Sequence, residues 1–326
     1  MGVAALRHRL AGWTPIDVTF EGKATLVRWC FTEGADFSAP FFDDTIDACL
    51  REPFRSAFWR VTPLADLADL ARSGLGLEPS GLVFHGSRCG STLVAQMLAG
   101  LHDVLVLSEP GPLDRMLRAE AAETFDGESR RAERLRWMIS ALGQPRAGES
   151  RLVVKLDAWA ILQLPVIRRA FPETPSVFVY REPGEVIASH LGRRGYHMIP
   201  GTLSADLLEL PDDQELSTPE QYCAAVLGQI YAAALAGAGG LRLVNYDELP
   251  AAVAGRIAPL FGIEVGPNER ESFDARSRRD AKNPAVPFDA AAAGSSRRTG
   301  PAVVQAVERH ALRWYEELEA VRAAQC

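Results

Sequence analysis

The sequence has no long apolar run. Across its 326 residues, no window approaches the roughly 18 apolar residues that a membrane-spanning helix needs. The opening stretch, MGVAALRHRLAG, also lacks an apolar core of the length found in signal peptides. We therefore expect a cytoplasmic protein with no membrane partner.

Metal-binding spacings and excess positive charge are missing as well. The five cysteines are scattered, and none shows the C-x-x-C or Cys/His spacing of a zinc site. We therefore expect no metal and a reducing compartment. The 42 acidic residues outnumber the 35 basic ones, and the formal net charge is −7. This balance argues against a nucleic-acid partner, so an anionic ligand would need a local basic pocket.

Short apolar runs separated by helical stretches dominate the region from residue 80 to residue 260. Strands are predicted at 82–84, 104–107, 151–156, 176–180 and 241–245. Helices are predicted at 91–101, 111–119, 128–142, 158–170, 183–191, 218–237 and 249–261. This alternation predicts a three-layer α/β/α fold with a central, mainly parallel sheet.

The first 75 residues read as a small irregular extension that packs on this core, which leaves 76–326 as the main domain. Strands are predicted at 16–20 and 24–31, and a helix at 41–50.

A second helix is expected to begin at Thr62 and Pro63, as N-cap and first helical residue, and to end near Gly74. The aromatic residues of the extension should pack a small separate core, with a ligand pocket as the alternative. They are Trp13, Trp29, Phe41, Phe42 and Trp59.

A glycine-containing turn follows the first strand of the main domain. Residues 85–92 read HGSRCGST and lead into an apolar helix. In such a turn backbone N–H groups point inward together, and the helix N-terminus adds positive potential, so the turn favours an anion. Arg88 adds charge, and Ser91 and Thr92 add hydroxyl donors. A nucleotide-triphosphate loop would carry Lys at position 91, and its absence disfavours a kinase or NTPase.

This turn resembles the 5′-phosphosulfate loop of sulfotransferases that use 3′-phosphoadenosine 5′-phosphosulfate (PAPS). Residues 88–93, RCGSTL, match the bacterial and Golgi-like form of that loop, in which Arg replaces Lys. The resemblance implies a P-loop-like sulfotransferase fold, PAPS as donor, and its product PAP. It also implies a set of loop residues that bind the cofactor. They are Ser87, Arg88, Cys89, Gly90, Ser91 and Thr92.

A second motif follows the strand at 176–180. Arg181 stands at the end of this strand in the run REP, and Ser189 lies eight residues further along the predicted helix. Two helical turns separate them, so both can reach one phosphate. The pair resembles the 3′-phosphate motif of the same family. Further resemblance at 153–157, 171–172 and 245–249 extends the match over roughly residues 80–260.

Sulfuryl transfer needs a base for the acceptor hydroxyl and cations near the transferring and leaving oxygens. Lys155, at the end of the third strand, and Arg88 are the candidate stabilising cations. Glu109, after the second strand, is the preferred base, because some sulfotransferases look similar in using a Glu there.

Other bases remain open. They are His85, Asp157, His190 and His197. For His85 the alternative role is to cap the loop, and for His190 the alternative location is a helix surface. Cys89, at a helix N-terminus, could have a lowered thiol pKa, or could supply only a small side chain and a backbone N–H.

Two basic clusters lie in the C-terminal part of the chain, and a long connection precedes them in the middle of the chain. Residues 276–284 and 295–298 are locally basic, and related enzymes close such a loop over the 3′-phosphate and adenine. The family's R-K-G-x-x-G signature is absent, so Lys282 is selected only as a candidate for cofactor binding. Residues 192–216, with an acidic stretch at 212–215, are a candidate substrate lid.

The sequence thus predicts a PAPS-dependent sulfotransferase acting on a small-molecule or peptide hydroxyl. A small-molecule kinase on a degenerate P-loop and a non-catalytic nucleotide-binding protein are the alternatives. The acceptor and the oligomeric state stay open.

Overall fold

The computed structural model describes residues 8–21, 24–122, 127–210, 216–287 and 300–325. The expected acidic stretch at 212–215 and the basic cluster at 295–298 lie outside these residues. The chain divides into two compact units that interleave along the sequence. The first unit comprises Met1–Ser80, Ala99–Val154 and Pro165–Thr174, and the second comprises Gly81–Leu98, Lys155–Leu164 and Pro175–Cys326. The predicted boundary between residues 75 and 76 stays a prediction.

The described residues form α-helices of three to eighteen residues. In chain order they are α1 (Phe42–Leu50), α2 (Pro53–Ala57), α3 (Ala65–Arg72), α4 (Ser91–Leu98), α5 (Gly111–Ala122), α6 (Glu128–Leu142), α7 (Leu164–Ala170), α8 (Pro183–Gly192), α9 (Ala205–Leu208), α10 (Pro219–Ala236), α11 (Ala258–Leu260), α12 (Pro267–Ser277), α13 (Pro301–His310) and α14 (Leu312–Ala324).

A three-stranded antiparallel sheet lies in the first unit. Its strands are β1 (Trp13–Glu21), β2 (Ala24–Phe31) and β3 (Trp59–Pro63), in that order. The two strands predicted near residues 16–31 are therefore confirmed, and β1 is longer than expected. Trp29 is fully buried, and its indole N–H donates to Thr62 Oγ1 at 2.9 Å.

The expected helix start at Thr62 and Pro63 is wrong. Both residues belong to β3, where Pro63 pairs with Leu26 of β2. A sheet edge tolerates the missing N–H of a proline, and pairing with β2 outweighs the local helix signal. The helix starts at Ala65 instead, and it ends before Gly74 as predicted.

The aromatic residues of this region only partly form a core. Trp29 and Phe42 are buried, but Trp59 is 56% exposed. Trp13 and Trp59 line an open cavity of about 470 Å³ with Phe31, Phe54 and Phe58. The predicted small core is thus confirmed for two of the five aromatic residues, and a surface pocket lies beside it.

A five-stranded sheet supplies the α/β architecture. Its strands are β4 (Pro79–His85), β5 (Val104–Ser108), β6 (Arg151–Lys155), β7 (Ser176–Tyr180) and β8 (Arg242–Asn245), in the order β5-β6-β4-β7-β8. In the second unit, β4 pairs with β7 and β7 with β8, both in parallel. Every residue of β5 and β7 is buried, as expected for strands covered on both faces. The predicted α/β class with a central parallel sheet is confirmed.

Several element boundaries differ from the prediction. The helix expected at 158–170 is a 3₁₀ turn, Ala158–Gln163, followed by α7. The helix expected at 249–261 contains a π-helical turn, Val253–Ile257, before α11. A proline lies near each break, and its missing N–H interrupts regular α-helical bonding. The C-terminal helices α12, α13 and α14 were not predicted.

Candidate anion-binding site

The loop between β4 and α4 has an unusual backbone. Ser87 and Arg88 have φ values of 63° and 50°, and Gly90 has 83°. A left-handed conformation costs a non-glycine residue roughly 1–2 kcal/mol. Strain of this kind persists only where the surroundings impose it, and it concentrates at functional sites.

Two glycines are required because aromatic residues approach the loop closely. A Cβ on Gly86 would lie 2.6 Å from the Tyr231 ring. A Cβ on Gly90 would lie 2.6 Å from Leu249 and 3.0 Å from the Tyr246 ring. The glycines therefore make room for these side chains as well as for the turn.

The N-terminus of α4 completes the loop. Ser91 and Thr92, its first two residues, are both buried. The first-turn N–H groups of a helix have no intrahelical acceptor, and the helix dipole adds positive potential there. The loop residues selected from the sequence thus form one turn with the features of an anion site.

Two basic side chains of the second unit, Arg88 and Lys282, act on a histidine next to this turn. Arg88 Nη2 donates to the Arg193 carbonyl at 2.5 Å. The charges of Arg88 and Lys282 both act on the buried ring of His190 and help to lower its pKa. Lys282, the exposed residue selected from the C-terminal cluster, therefore lies within electrostatic range of the same ring as Arg88.

Lys155 is a third basic residue of the candidate site, after Arg88 and Lys282. It ends β6 and is fully buried. Its charge acts on the Cys89 thiol in the loop. A fully buried lysine is rare and needs polar surroundings, so Lys155 is not an ordinary strand-edge residue.

Cys89 does not have the low thiol pKa that a helix N-terminus suggests. Its side chain is fully buried and donates to the Val179 carbonyl at 3.1 Å. Burial raises the thiol pKa to about 11, against smaller opposing effects from N–H groups and Lys155. Of the two alternatives for Cys89, the structure therefore excludes the lowered pKa and favours the small packed side chain.

The second motif lies where β7 meets α8. Arg181 follows β7 directly, and its Nε donates to Glu185 at 2.5 Å. Its guanidinium carbon lies 4.1 Å from the centroid of the Tyr246 ring. The Arg181 carbonyl accepts from the Tyr231 hydroxyl at 2.5 Å. Ser189 lies in the last turn of α8 and is half-buried.

Tyr231 and Tyr246 each contact both motifs. Tyr231 lies against Gly86 and bonds to Arg181, while Tyr246 lies against Gly90 and under the Arg181 guanidinium. The loop and Arg181 therefore belong to one site. Tyr246 falls within the family resemblance at 245–249, whereas Tyr231 was not predicted. No local pattern could have identified Tyr231 inside the apolar helix α10.

Two of the candidate bases, His85 and His190, form hydrogen bonds to Ser87 of the loop. His85 Nδ1 accepts from the Ser87 N–H at 3.0 Å, so His85 caps the loop. His190 is fully buried, which excludes the alternative that it lies on a helix surface. Its Nε2 lies 3.1 Å from Ser87 Oγ. Burial first, then neighbouring positive charges, lowers the pKa of His190 to about 3, so its ring is neutral near pH 7.

The remaining candidate bases lie in different surroundings. His197 is mostly buried, and its ring meets that of His190 edge-on at 5.5 Å. Asp157 precedes the 3₁₀ turn after β6, and its carbonyl accepts from the Ala160 N–H. Glu109 belongs to the first unit, follows β5 directly and is half-buried. Its φ of 53° is another left-handed value at a non-glycine residue.

The part of the chain that the structure describes contains neither a metal cluster nor a membrane span. No group of three or more His, Cys, Asp or Glu side chains there could hold a metal ion. Among the same residues, no helix is long and apolar enough to cross a membrane.

The chain matches no protein-family model and no curated protein. The solved structures that are similar to it include two sulfotransferases. For the sulfotransferase STF9 from Mycobacterium avium, the identity is 12%, the match covers 77% of this chain and 82% of that chain, and the TM-score is 0.45. For the sulfotransferase STF1 from Mycobacterium tuberculosis H37Rv, the identity is 14%, the match covers 70% of this chain and 81% of that chain, and the TM-score is 0.39. Identities and TM-scores this low do not support a function, so only the residues of this chain can indicate one.

The burial of Cys89 predicts its reactivity. At pH 8, iodoacetamide should modify Cys89 at least about 100-fold more slowly in the native protein than in urea, because a thiol with a pKa about 11 is almost never a thiolate. Peptide mass spectrometry over a time course measures both rates. Rapid native modification of Cys89 would contradict its assigned burial and pKa.

Proposed function

We propose that this chain is a sulfotransferase that moves a sulfuryl group from PAPS to an acceptor hydroxyl. The observation that supports this most directly is the pair Tyr231 and Tyr246, which join a strained anion loop to Arg181. Two anion anchors in one site suit a nucleotide with a 3′-phosphate and a 5′-phosphosulfate. ATP has no group for the second anchor.

In this proposal the loop residues bind the 5′-phosphosulfate. The first-turn N–H groups of α4, the hydroxyls of Ser91 and Thr92, and the Arg88 guanidinium are donors suited to phosphate and sulfate oxygens. Arg181 and Ser189 bind the 3′-phosphate. Lys282 adds positive charge near the loop, in keeping with the charge it exerts on His190.

PAPS supplies the sulfuryl group and, as PAP, the leaving group. Lys155 and Arg88 stabilise negative charge on the oxygens of the transferring and leaving groups, and the complete burial of Lys155 strengthens its electrostatic effect. Glu109 accepts the proton of the acceptor hydroxyl. Its strained position at the end of β5 supports a functional role. No metal is needed for these steps.

The acceptor is proposed to be a small-molecule or peptide hydroxyl. We further propose a cytoplasmic location, a catalytic domain over residues 76–326, and no nucleic-acid or membrane partner. Because the formal net charge is −7, the chain as a whole repels anions, and only local basic groups such as Arg88 in the loop attract them.

Ligand-induced stabilisation tests the donor. PAP without magnesium should raise the melting temperature, because a ligand that binds only the native state stabilises it by about 2.7 kcal/mol at 100 times its Kd. Differential scanning fluorimetry with PAP, adenosine and ATP plus magnesium makes the comparison. Stabilisation by magnesium-ATP but not by PAP would favour a kinase. Stabilisation by PAP without any transfer to a panel of acceptors would favour a non-catalytic binding protein.

Removal of Arg181 tests the 3′-phosphate assignment. The Arg181→Ala variant should bind PAP about 100-fold more weakly, because a charge-assisted hydrogen bond contributes roughly 1.5–3 kcal/mol. Its affinity for adenosine 5′-phosphosulfate, which lacks the 3′-phosphate, should change less than about threefold. Arg313→Ala, at an exposed arginine on α14, controls for the loss of one positive charge. Equal losses for both nucleotides by calorimetry would refute the assignment.

Glu109→Gln tests the base. Turnover should fall by roughly 10²–10⁴-fold, while the Kd for PAP should stay within about twofold. Transfer of radiolabelled sulfuryl to an acceptor used by the wild type measures turnover. Glu173→Gln, at an exposed glutamate of the same unit, is the matched control. Unchanged turnover in Glu109→Gln would move the role to Asp157 or a histidine.

A further inference from the structure

The two left-handed non-glycine residues of the loop, Ser87 and Arg88, both form hydrogen bonds to the segment that follows Ser189. His190 Nε2 lies 3.1 Å from Ser87 Oγ, and Arg88 Nη2 donates to the Arg193 carbonyl at 2.5 Å. A left-handed serine or arginine needs such support, because its own backbone preference opposes the conformation. The shape of the anion loop therefore depends on the last turn of α8 and the residues after it.

The hydrogen bonds of His190 define which ring nitrogen carries the proton. The Gly195 N–H donates to Nδ1 at 3.1 Å, so Nδ1 is the acceptor. In a neutral imidazole the other nitrogen then carries the hydrogen. Nε2–H therefore donates to Ser87 Oγ, and the hydrogen of the Ser87 hydroxyl is left to donate elsewhere.

The surroundings keep this ring neutral and fixed. His190 is fully buried, and the titratable and charged groups that act on it are His197, Arg88 and Lys282. Each of them lowers its pKa. A Cβ on Gly195 would lie 3.1 Å from His190 Cε1 and 3.2 Å from His197 Cε1. Gly195 is therefore packed tightly against both rings, which limits their rotation.

We propose that His190 is a positioning residue of the phosphosulfate site: its Nε2–H orients the Ser87 hydroxyl as a donor to an oxygen of the bound anion. Because His190 adjoins Ser189, the same helical turn supports both anion anchors. This inference rests on the proposed function for the identity of the ligand. The hydrogen-bond chain Gly195–His190–Ser87 stands independently of it.

A pair of substitutions separates the hydrogen bond from the bulk of the ring. His190→Gln keeps an N–H donor near the position of Nε2, whereas His190→Met keeps the volume without the donor. Calorimetry with PAP and with inorganic pyrophosphate measures each variant, the Ser87→Ala variant and the double variant Ser87→Ala/His190→Met. We expect His190→Met to weaken both ligands about tenfold and His190→Gln to stay within about threefold of the wild type. The double variant should bind no more weakly than Ser87→Ala alone.

Several outcomes would overturn the positioning role. They are unchanged binding in His190→Met, equal losses in the Gln and Met variants, or additive losses in the double variant. Imidazole ¹⁵N NMR of the wild type adds a test that needs no variant to fold. An Nε2–H tautomer at pH 7 supports the inference, and an Nδ1–H tautomer or a charged ring contradicts it.

The pyrophosphate measurements distinguish this inference from the proposed function. If the wild type binds pyrophosphate but not PAP, and His190→Met loses pyrophosphate, the PAPS assignment fails while the positioning role stands. If the wild type binds neither ligand, both proposals fail. If PAP binds and His190→Met binds it equally well, only the positioning role fails.

Discussion

The conformation of the loop between β4 and α4 is the constraint on which the rest of the site depends. Ser87 and Arg88 are left-handed in succession, an arrangement that their own backbone preferences oppose. Contacts from β7, α8, α10 and the turn after β8 impose this conformation. The rings of Tyr231 and Tyr246 pack against the two glycines, and His190 and the Arg193 carbonyl form hydrogen bonds to the side chains of Ser87 and Arg88. The loop is thus a product of the whole second unit, and its shape would not survive in an isolated peptide.

The sequence predicted most elements whose boundaries are set locally. The strands β2 and β7 and the helix α6 occur at the predicted residues, because apolar runs with polar or glycine-containing flanks define them. Prediction failed where distant pairing competes with a local signal, as at Thr62 and Pro63, which join β3 instead of capping a helix. It also missed α12 and α13, although each begins with a proline after a glycine. That pattern is a helix-start signal that is present in the sequence itself.

The residue types of the candidate site were predictable, but their environments were not. Glycines, hydroxyls and arginines after buried strands indicated anion binding, since parallel strands expose their carboxyl ends at one edge. The raised pKa of Cys89, the neutral buried His190 and the bridging role of Tyr231 depend on neighbours 90 or more residues away, or on a helix interior without a local signature. Such properties follow from packing, which a single sequence does not display.

The complete burial of Lys155 has a practical consequence. Its ammonium group is withdrawn from bulk water in the same unit that carries Arg88 and the open end of α4. A buried cation and an open helix N-terminus both attract small inorganic anions from the medium. Phosphate and sulfate buffers should therefore compete with nucleotides, and an affinity measured in them would be lower than in a buffer whose anions are large and weakly bound.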